Sequence, residues 1–164
     1  MGLLLVFTGD GKGKTTAALG TLLRAYGHGF KIIIAHFLKS GYYCNEPIGE
    51  KLTISSRLSD LVRECFMYDF SNSKEFLNYV IEVTLSEEPN LLILDEANVA
   101  INFGFISIDD LLNFLNKIPK NTHVIVTGRY AHSAILERAD LITRMECIKH
   151  YLSKGITAVK GLDW

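Results

Sequence analysis

Residues 8–16 read Thr8-Gly9-Asp10-Gly11-Lys12-Gly13-Lys14-Thr15-Thr16, between a hydrophobic run, Leu3 to Phe7, and a predicted helix that begins at Lys14. Three glycines within five positions let the backbone N–H groups turn inward, and the helix N-terminus adds positive potential at the same place. Such a loop binds an anion, and a polyphosphate is the expected ligand. We therefore predict binding roles for Gly9, Asp10, Gly11, Lys12, Gly13, Lys14, Thr15 and Thr16.

The loop resembles the pattern G-x-x-x-x-G-K-[ST], with one departure. In that pattern the lysine, here Lys14, reaches the outer phosphates, and the hydroxyl of Thr15 binds Mg²⁺. Thr8 stands where the first glycine is expected and Gly9 follows one place late, so we expect the entry of the loop to bend differently. A glycine-rich turn that binds nothing is the alternative interpretation.

Length and charge restrict the class of protein. The 164 residues predict one domain, 1–164, which is large enough to bury an α/β core. With 17 basic and 18 acidic residues the net charge is -1, so the chain lacks the basic field that attracts nucleic acid, and we expect no nucleic-acid partner.

Cysteine usage and hydropathy indicate a reducing, aqueous compartment. Cys44, Cys65 and Cys147 are odd in number and lack C-x-x-C spacing, which argues against a disulfide framework or a zinc site. The run Leu3 to Phe7 is too short for a membrane span or a signal sequence. We expect a cytoplasmic protein with no membrane partner.

Strand-like and helix-like segments alternate along the chain. The predicted strands are Leu3 to Phe7, Lys31 to Phe37, Leu91 to Leu94 and His123 to Thr127. The predicted helices are Lys14 to Tyr26, a helix capped by Ser73 that runs to about Glu87, Ser107 or Ile108 to Pro119, and His132 to Arg138. Continuous hydrophobic strands separated by helices predict an α/β fold: a three-layer P-loop nucleotide-binding fold with a mostly parallel sheet. Segments 141–148 and 157–162 flank a turn-like Ser153-Lys154-Gly155, which predicts a C-terminal hairpin.

Two carboxylates follow the third predicted strand. Asp95 and Glu96 come directly after Leu91 to Leu94, so they are expected at the strand's carboxyl end, on the same rim of the sheet as the phosphate loop. Oxygen ligands at that place suit Mg²⁺. In an ATPase, Glu96 would instead activate water, and an acidic pair that only ends a strand is the third alternative.

Four separated pieces of sequence also resemble a known family. They are 8–18, which contains the loop; Leu94-Asp95-Glu96; Thr127-Gly128-Arg129 with Ala139-Asp140-Leu141-Ile142-Thr143; and Ile148-Lys149-His150 with Gly161-Leu162-Asp163-Trp164. In these pieces the chain is similar to the P-loop ATP:corrinoid adenosyltransferases. Weaker similarities are His36-Phe37-Leu38-Lys39-Ser40-Gly41, where the family tends to have Gln-Phe-Ile-Lys-Gly, and Phe66-Met67-Tyr68, where it tends to have Phe-x-Trp.

The resemblance implies an enzyme that transfers the 5′-deoxyadenosyl group of ATP to the cobalt(I) of a corrinoid and releases triphosphate. It implies that Lys14 and Glu96 are catalytic, that Lys12 and Lys14 hold the triphosphate, and that Thr15 and Glu96 position Mg²⁺, or Mn²⁺ in its place, with Asp95 as an outer partner. ATP and the corrinoid are then substrates, and a reductase supplies electrons to cobalt. Whether the subunit forms a homodimer is left open.

The resemblance assigns further residues for which a plain structural role is the alternative. Arg129 would add positive charge near the nucleotide, or form a surface ion pair. Phe66 and Tyr68, two apart on an extended segment, would wall the lower face of the corrinoid ring, or pack in the core. His36 and His150 are expected to be hydrogen-bonded structural residues.

Longer members of the family carry a covering segment before the first strand. Here we expect either that Lys39 to Asn72 or a neighbouring subunit covers the site, or that the corrinoid is more exposed and binds more weakly. Two other functions stay open from the sequence: a P-loop ATPase or small kinase, which would release orthophosphate or ADP, and a non-catalytic nucleotide or corrinoid carrier, which would bind without turnover.

Overall fold

A six-stranded parallel sheet forms the centre of the computed structural model, which describes residues 2–164. The chain's strands are β1 (Leu4–Thr8), β2 (Ile32–His36), β3 (Tyr42–Tyr43), β4 (Glu46–Pro47), β5 (Val62–Phe66), β6 (Leu91–Asp95), β7 (His123–Thr127) and β8 (Leu141–Arg144). The order in the sheet is β5-β2-β6-β7-β1-β8, and every neighbouring pair in it is parallel. The α/β class with a mostly parallel sheet is therefore confirmed.

Helices cover both faces of the sheet. They are α1 (Lys14–Gly27), α2 (Gly49–Thr53), α3 (Ser73–Glu87), α4 (Ala97–Asn102), α5 (Ile108–Lys117) and α6 (Ser133–Arg138). On one face, Ala18 and Leu22 of α1 pack against alternate residues of β2, β6 and β7. On the other, Phe76 of α3 and Phe114 of α5 pack against the remaining residues of the same strands. All five residues of β2 and of β6 are buried, as expected of strands covered on both sides.

Polar caps fix where two of these helices begin. The Ser107 side chain accepts a hydrogen bond from the Asp110 N–H, and α5 begins at Ile108, one of the two predicted starts. For α3 the predicted cap, Ser73, is wrong by one residue, because Asn72 accepts from the Glu75 N–H and Ser73 is already helical. The element itself runs to Glu87, as predicted.

The predicted C-terminal hairpin is wrong. Residues Leu141–Arg144 form β8, which pairs in parallel with β1, and no strand forms among residues 145–164. The turn signal does correspond to a turn: Tyr151–Lys154 is a short 3₁₀ helix that ends at Gly155, whose φ is 75°. A hairpin would need a later strand to pair antiparallel with β8, whereas β8 pairs in parallel with β1.

Residues 39–72, which the sequence described least well, contain several short elements. The two-residue strands β3 and β4 form a small antiparallel hairpin, and α2 continues into a π-helical turn, Ile54–Leu58. After β5, a 3₁₀ turn covers Met67–Asp69. Across residues 2–164, no helix is both long enough and apolar enough to cross a bilayer.

Candidate nucleotide site

The phosphate loop connects β1 to α1 and is closed from outside by residues that follow β8. The N–H of Gly11 donates to the carbonyl oxygen of Met145 at 2.8 Å, and the N–H of Met145 donates to that of Thr8 at 2.8 Å. Gly9 has φ 97°, and a Cβ there would lie 2.3 Å from the Met145 oxygen. A Cβ on Gly11 would lie 2.6 Å from the oxygen of Glu146. The glycines are therefore required by the close approach of this second chain segment.

Lys14 is folded back over the loop. Its side chain is buried, and Nζ donates to the carbonyl oxygens of Gly9 at 2.8 Å and Gly11 at 2.7 Å. Burial lowers the pKa of Lys14, and nearby Arg129 lowers it further. A bound polyphosphate would give this ammonium a stronger acceptor than two neutral carbonyls.

Asp95 is the centre of the acidic side of the site. Its carboxylate is fully buried, with Oδ1 accepting from the hydroxyls of Thr15 and Thr127, each at 2.8 Å. Oδ2 lies 3.0 Å from His36 Nδ1 and 2.9 Å from Lys39 Nζ. Burial alone would raise the pKa of Asp95, but the His36 hydrogen bond and the Lys39 charge hold it well below its ordinary value. The sequence placed Asp95 correctly on the rim without revealing these partners.

Glu96 has a different environment from its neighbour. It lies at the N-terminus of α4 with φ 60°, and its backbone N–H donates to Thr127 Oγ1 at 2.9 Å. Within residues 2–164 its carboxylate accepts no hydrogen bond. Burial and the charge of Asp95 raise the pKa of Glu96. The charges of Lys39, Lys14 and Arg129 act on Glu96 in the opposite direction, but none of these side chains forms an ion pair with it within 4.0 Å among residues 2–164.

These oxygens fit a hard cation. The Thr15 hydroxyl donates its hydrogen to Asp95, so the lone pairs of the Thr15 oxygen are free to bind a cation. The carboxylate of Glu96 is a second oxygen ligand of the kind that hard cations prefer. Asp95 already accepts from four groups, so it suits an outer position. No three His, Cys, Asp or Glu side chains in the described part of the chain form a metal cluster. A metal here would therefore need oxygens from a ligand as well.

Two cavities are lined by residues of the loop, and a third shares lining residues with the first of them. The phosphate-loop cavity, of about 600 Å³, is lined by residues 12–16 of the loop, by Glu96, and by apolar side chains of α1 and of the π-helical turn. The Arg129 cavity, of about 390 Å³, contains Arg129 and Tyr130 beside Gly11, Lys14 and Glu96. The aromatic cavity, of about 330 Å³, is lined by Tyr42, Tyr43, Tyr68 and Trp164, among others.

The predicted site residues do not all meet at the loop. Arg129 is exposed and lines its own cavity beside Lys14 and Glu96, and no carboxylate of residues 2–164 pairs with it within 4.0 Å. Asp10 is also exposed, but it lines none of the three cavities. Gly9 shapes the loop from behind, as described above.

Phe66 and Tyr68 lie in different surroundings, because Phe66 ends β5 and Tyr68 lies within the 3₁₀ turn that follows. Phe66, at the end of β5, is 4% exposed and stacks on His36 with ring centroids 4.8 Å apart. Tyr68 is 62% exposed and lines the aromatic cavity. The expectation of two aromatics on one face of an extended segment is therefore wrong, although Tyr68 does lie at a cavity.

Sequence reasoning assigned no role to Asp163, which ties the last turn of the described chain to the loop. Its Oδ1 lies 2.5 Å from Lys12 Nζ, and its carboxylate also accepts from the Tyr151 hydroxyl and the Val159 N–H. Hydrogen bonds from Lys12 and Tyr151 lower the pKa of Asp163 below its ordinary value. No local pattern indicated a contact across 151 positions.

Two histidines, His36 and His150, were predicted to be hydrogen-bonded structural residues. His36 is fully buried, with Nε2 3.1 Å from Glu64 Oε1 and Nδ1 on Asp95. His150 accepts from the Leu152 N–H at the start of its 3₁₀ helix. Both are hydrogen-bonded, as predicted.

Solved structures similar to this chain support the fold alone. The KaiC-like protein PH0186 of Pyrococcus horikoshii aligns with TM-score 0.59 and 16% identity, over 87% of this chain and 70% of that one. The flagellar accessory protein FlaH of Methanocaldococcus jannaschii aligns with TM-score 0.57 and 18% identity, over the same shares.

Sequence comparison identifies the family. The family model for ATP:corrinoid adenosyltransferase BtuR/CobO/CobP matches residues 1–164. Corrinoid adenosyltransferases of Pseudomonas aeruginosa and Escherichia coli K12 are each 31% identical over 99% of this chain, covering 84% and 86% of their own lengths. One from a Sinorhizobium species is 32% identical over 99% of the chain and 80% of its own length. The chain therefore belongs to the ATP:corrinoid adenosyltransferase family.

Proposed function

We propose that residues 1–164 act as one nucleotide-binding domain that transfers the 5′-deoxyadenosyl group of ATP to the cobalt(I) of a corrinoid and releases triphosphate. Family membership supports the choice of ATP and a corrinoid as substrates. The observation that carries the proposal is that the phosphate-loop cavity and the aromatic cavity are neighbours that share one wall. Lys39, Glu50, Asp163 and Trp164 line both. A second substrate therefore has a place beside the nucleotide.

The protein's own residues have positioning and electrostatic tasks in this reaction. Cobalt(I) is the nucleophile, so no side chain needs to attack. Lys14 and the loop N–H groups hold the triphosphate, and Lys12 joins them when a phosphate competes with Asp163 for its ammonium. We assign the exposed Arg129 to the same anion from the opposite side.

We also propose that the site holds Mg²⁺, or Mn²⁺ in its place. Thr15 and Glu96 would bind the ion and Asp95 would orient Thr15, since Asp95 is occupied by four donors. Bound there, the ion would neutralise triphosphate charge. Glu96, whose pKa is raised by burial and by Asp95, would then have a cation in direct contact in addition to the more distant charges of Lys39, Lys14 and Arg129.

The aromatic cavity is the proposed corrinoid side. Tyr68, exposed at this cavity, is suited to contact the macrocycle directly. Phe66 is buried, so we assign it a supporting role: it stacks on His36, whose ring is hydrogen-bonded to Asp95 and Glu64. The small β3–β4 hairpin contributes Tyr42 and Tyr43, which makes the segment 39–72 the proposed cover of the site. Reduction of cobalt requires an electron donor, and we propose a reductase as the partner.

Product identity tests the proposal. Purified protein is given ATP, Mg²⁺ and chemically reduced corrinoid under anaerobic conditions, and the products are separated. We expect a light-sensitive cobalt–carbon compound and intact triphosphate in equal amounts, absent with K14A and normal with K117A, which removes an exposed lysine of α5. Release of orthophosphate or ADP would identify an ATPase or kinase. Stoichiometric binding without turnover would identify a carrier.

A further inference from the structure

The wall between the phosphate-loop cavity and the aromatic cavity contains a lysine that neither the loop pattern nor the acidic pair explains. Lys39, Glu50, Asp163 and Trp164 form this wall, since they line both cavities. The inference rests on the proposed function: with triphosphate on the loop and a corrinoid in the aromatic cavity, the reacting carbon lies at the wall. Groups of the wall are then nearest to the bond that breaks.

Lys39 is held at this wall by the end of the sheet. It follows β2, in which His36 pairs with Asp95 of the neighbouring strand. Lys39 Nζ lies 2.9 Å from Asp95 Oδ2 and 3.5 Å from Glu50 Oε1, and its side chain is 26% exposed. An ammonium carries three N–H donors. Asp95 takes one, and the Glu50 contact is longer than an ordinary hydrogen bond, so donors are available to a ligand.

Other cations near the loop are placed elsewhere. Lys14 donates to carbonyls of the loop, and Lys12 pairs with Asp163. Arg129 lines its own cavity and neither the phosphate-loop cavity nor the aromatic cavity. Among residues 2–164, Lys39 alone of the basic side chains lines the aromatic cavity.

The charge on Lys39 is secured by its partners. Burial would lower the pKa of Lys39, but the charges of Asp95 and Glu50 raise it above the ordinary value for lysine. The side chain is therefore cationic across the neutral range. Its attachment to buried Asp95 also fixes its position before any ligand binds, so little reorganisation is needed during the reaction.

We propose that Lys39 is a further catalytic residue, whose ammonium stabilises the negative charge that develops on the departing triphosphate. In the step concerned, the electron pair of cobalt(I) forms the bond to the 5′ carbon, and the bond from that carbon to the triphosphate oxygen breaks. The bonding pair leaves on the oxygen, and cobalt becomes formally cobalt(III). No further oxidant or proton is required. Lys39 acts on the oxygen that gains the charge.

Two neutral variants and one cationic variant test the role. K39M removes the charge, K39Q removes the charge but keeps an amide donor for Asp95, and K39R keeps the charge. K74M, at an exposed position of α3, is the matched control. Each variant is assayed with ATP, Mg²⁺ and chemically reduced corrinoid. The measurements are kcat for the cobalt–carbon product, the Kd for Mg·ATP, and the circular dichroism spectrum and Tm.

We expect kcat to fall about 100-fold in K39M and K39Q while the Kd for Mg·ATP changes less than about threefold. K39R should recover part of the loss, and K74M should match the wild type. An unchanged kcat in K39Q, or a loss expressed only as weaker ATP binding, would overturn the role. A K39Q protein without the native spectrum would assign Lys39 to folding and would overturn it as well. If the wild type itself makes no cobalt–carbon product, the proposed function fails. If the wild type turns over and K39Q has the same kcat, only the proposed role of Lys39 is rejected.

Discussion

Replacing His36 by leucine should destabilise the protein severely. The imidazole is fully buried between two carboxylates, Asp95 at 3.0 Å and Glu64 at 3.1 Å, and the Glu64 side chain is only 3% exposed. In H36L, Asp95 keeps Thr15, Thr127 and Lys39, but Glu64 keeps only the Ser55 hydroxyl. Removing one partner of a buried charge pair costs about 3–5 kcal/mol. For a domain of this size that lowers Tm by about 10 °C.

Urea denaturation of the protein in EDTA, followed by circular dichroism, measures the loss. H28L, at an exposed histidine after α1, is the matched control and should change the unfolding free energy by less than about 0.5 kcal/mol. The double-mutant cycle with E64L isolates the contact between His36 and Glu64. We expect a coupling free energy of about 1–3 kcal/mol, because with leucine at both positions neither member of this pair remains buried without its partner. Additive effects, or an H36L protein within about 1 kcal/mol of the wild type, would refute the reasoning.

The same network predicts the pH dependence of this difference. Burial would lower the pKa of His36, but hydrogen bonds from its ring to Asp95 and Glu64 raise it above the ordinary value of 6.5. A raised folded-state pKa means that the stabilisation is fully present below pH 6.5 and is lost as pH rises through the folded-state pKa. The gap between wild type and H36L should therefore be largest in mildly acidic buffer and narrow on the alkaline side. A gap that widens with pH would show that His36 is neutral in the folded protein.

Two further predictions concern thiols and glycines. Exposed Cys44 and Cys147 should react with a disulfide reagent in the native protein. Burial raises the pKa of Cys65 to about 11, so Cys65 should react only after unfolding. Consumption of a third equivalent of reagent before denaturation would contradict the burial of Cys65. G9A should weaken ATP binding at least about tenfold, because its φ of 97° and the Met145 oxygen leave no room for a Cβ. G20A, in α1 with open space around it, should instead stabilise the protein by about 0.5–1 kcal/mol, and equal effects of the two substitutions on ATP binding would exclude the steric explanation.

Local signals in the sequence predicted the loop and the main elements. The glycine spacing of residues 8–16 and the helix after them can be read from consecutive positions, so the turn and α1 could be predicted directly, although the contact of Gly9 with Met145 could not. The fully buried strands β2 and β6 have hydrophobic runs that only a covered sheet accommodates. Asp95 could be placed on the rim because it follows such a run.

Contacts between distant segments could not be predicted in this way. The pairing of β8 with β1 depends on a free sheet edge, while the local turn at Gly155 favoured a hairpin. The bond between Lys12 and Asp163 joins residues without any shared periodicity. Phe66 and Tyr68 were misjudged because the 3₁₀ turn at Met67–Asp69 rotates one inward and the other outward. In each case a tertiary constraint overrides the local pattern.

The position of β1 in the sheet has a consequence for how the protein is made. β1 carries the phosphate loop and is the first strand of the sheet to be synthesised, yet both of its neighbours, β7 and β8, are the last. A nascent chain therefore exposes a hydrophobic, unpaired strand through most of translation, and such pairing between distant segments is slow. Products that stop before His123 should leave β1 without a partner and become clients of chaperones and proteases.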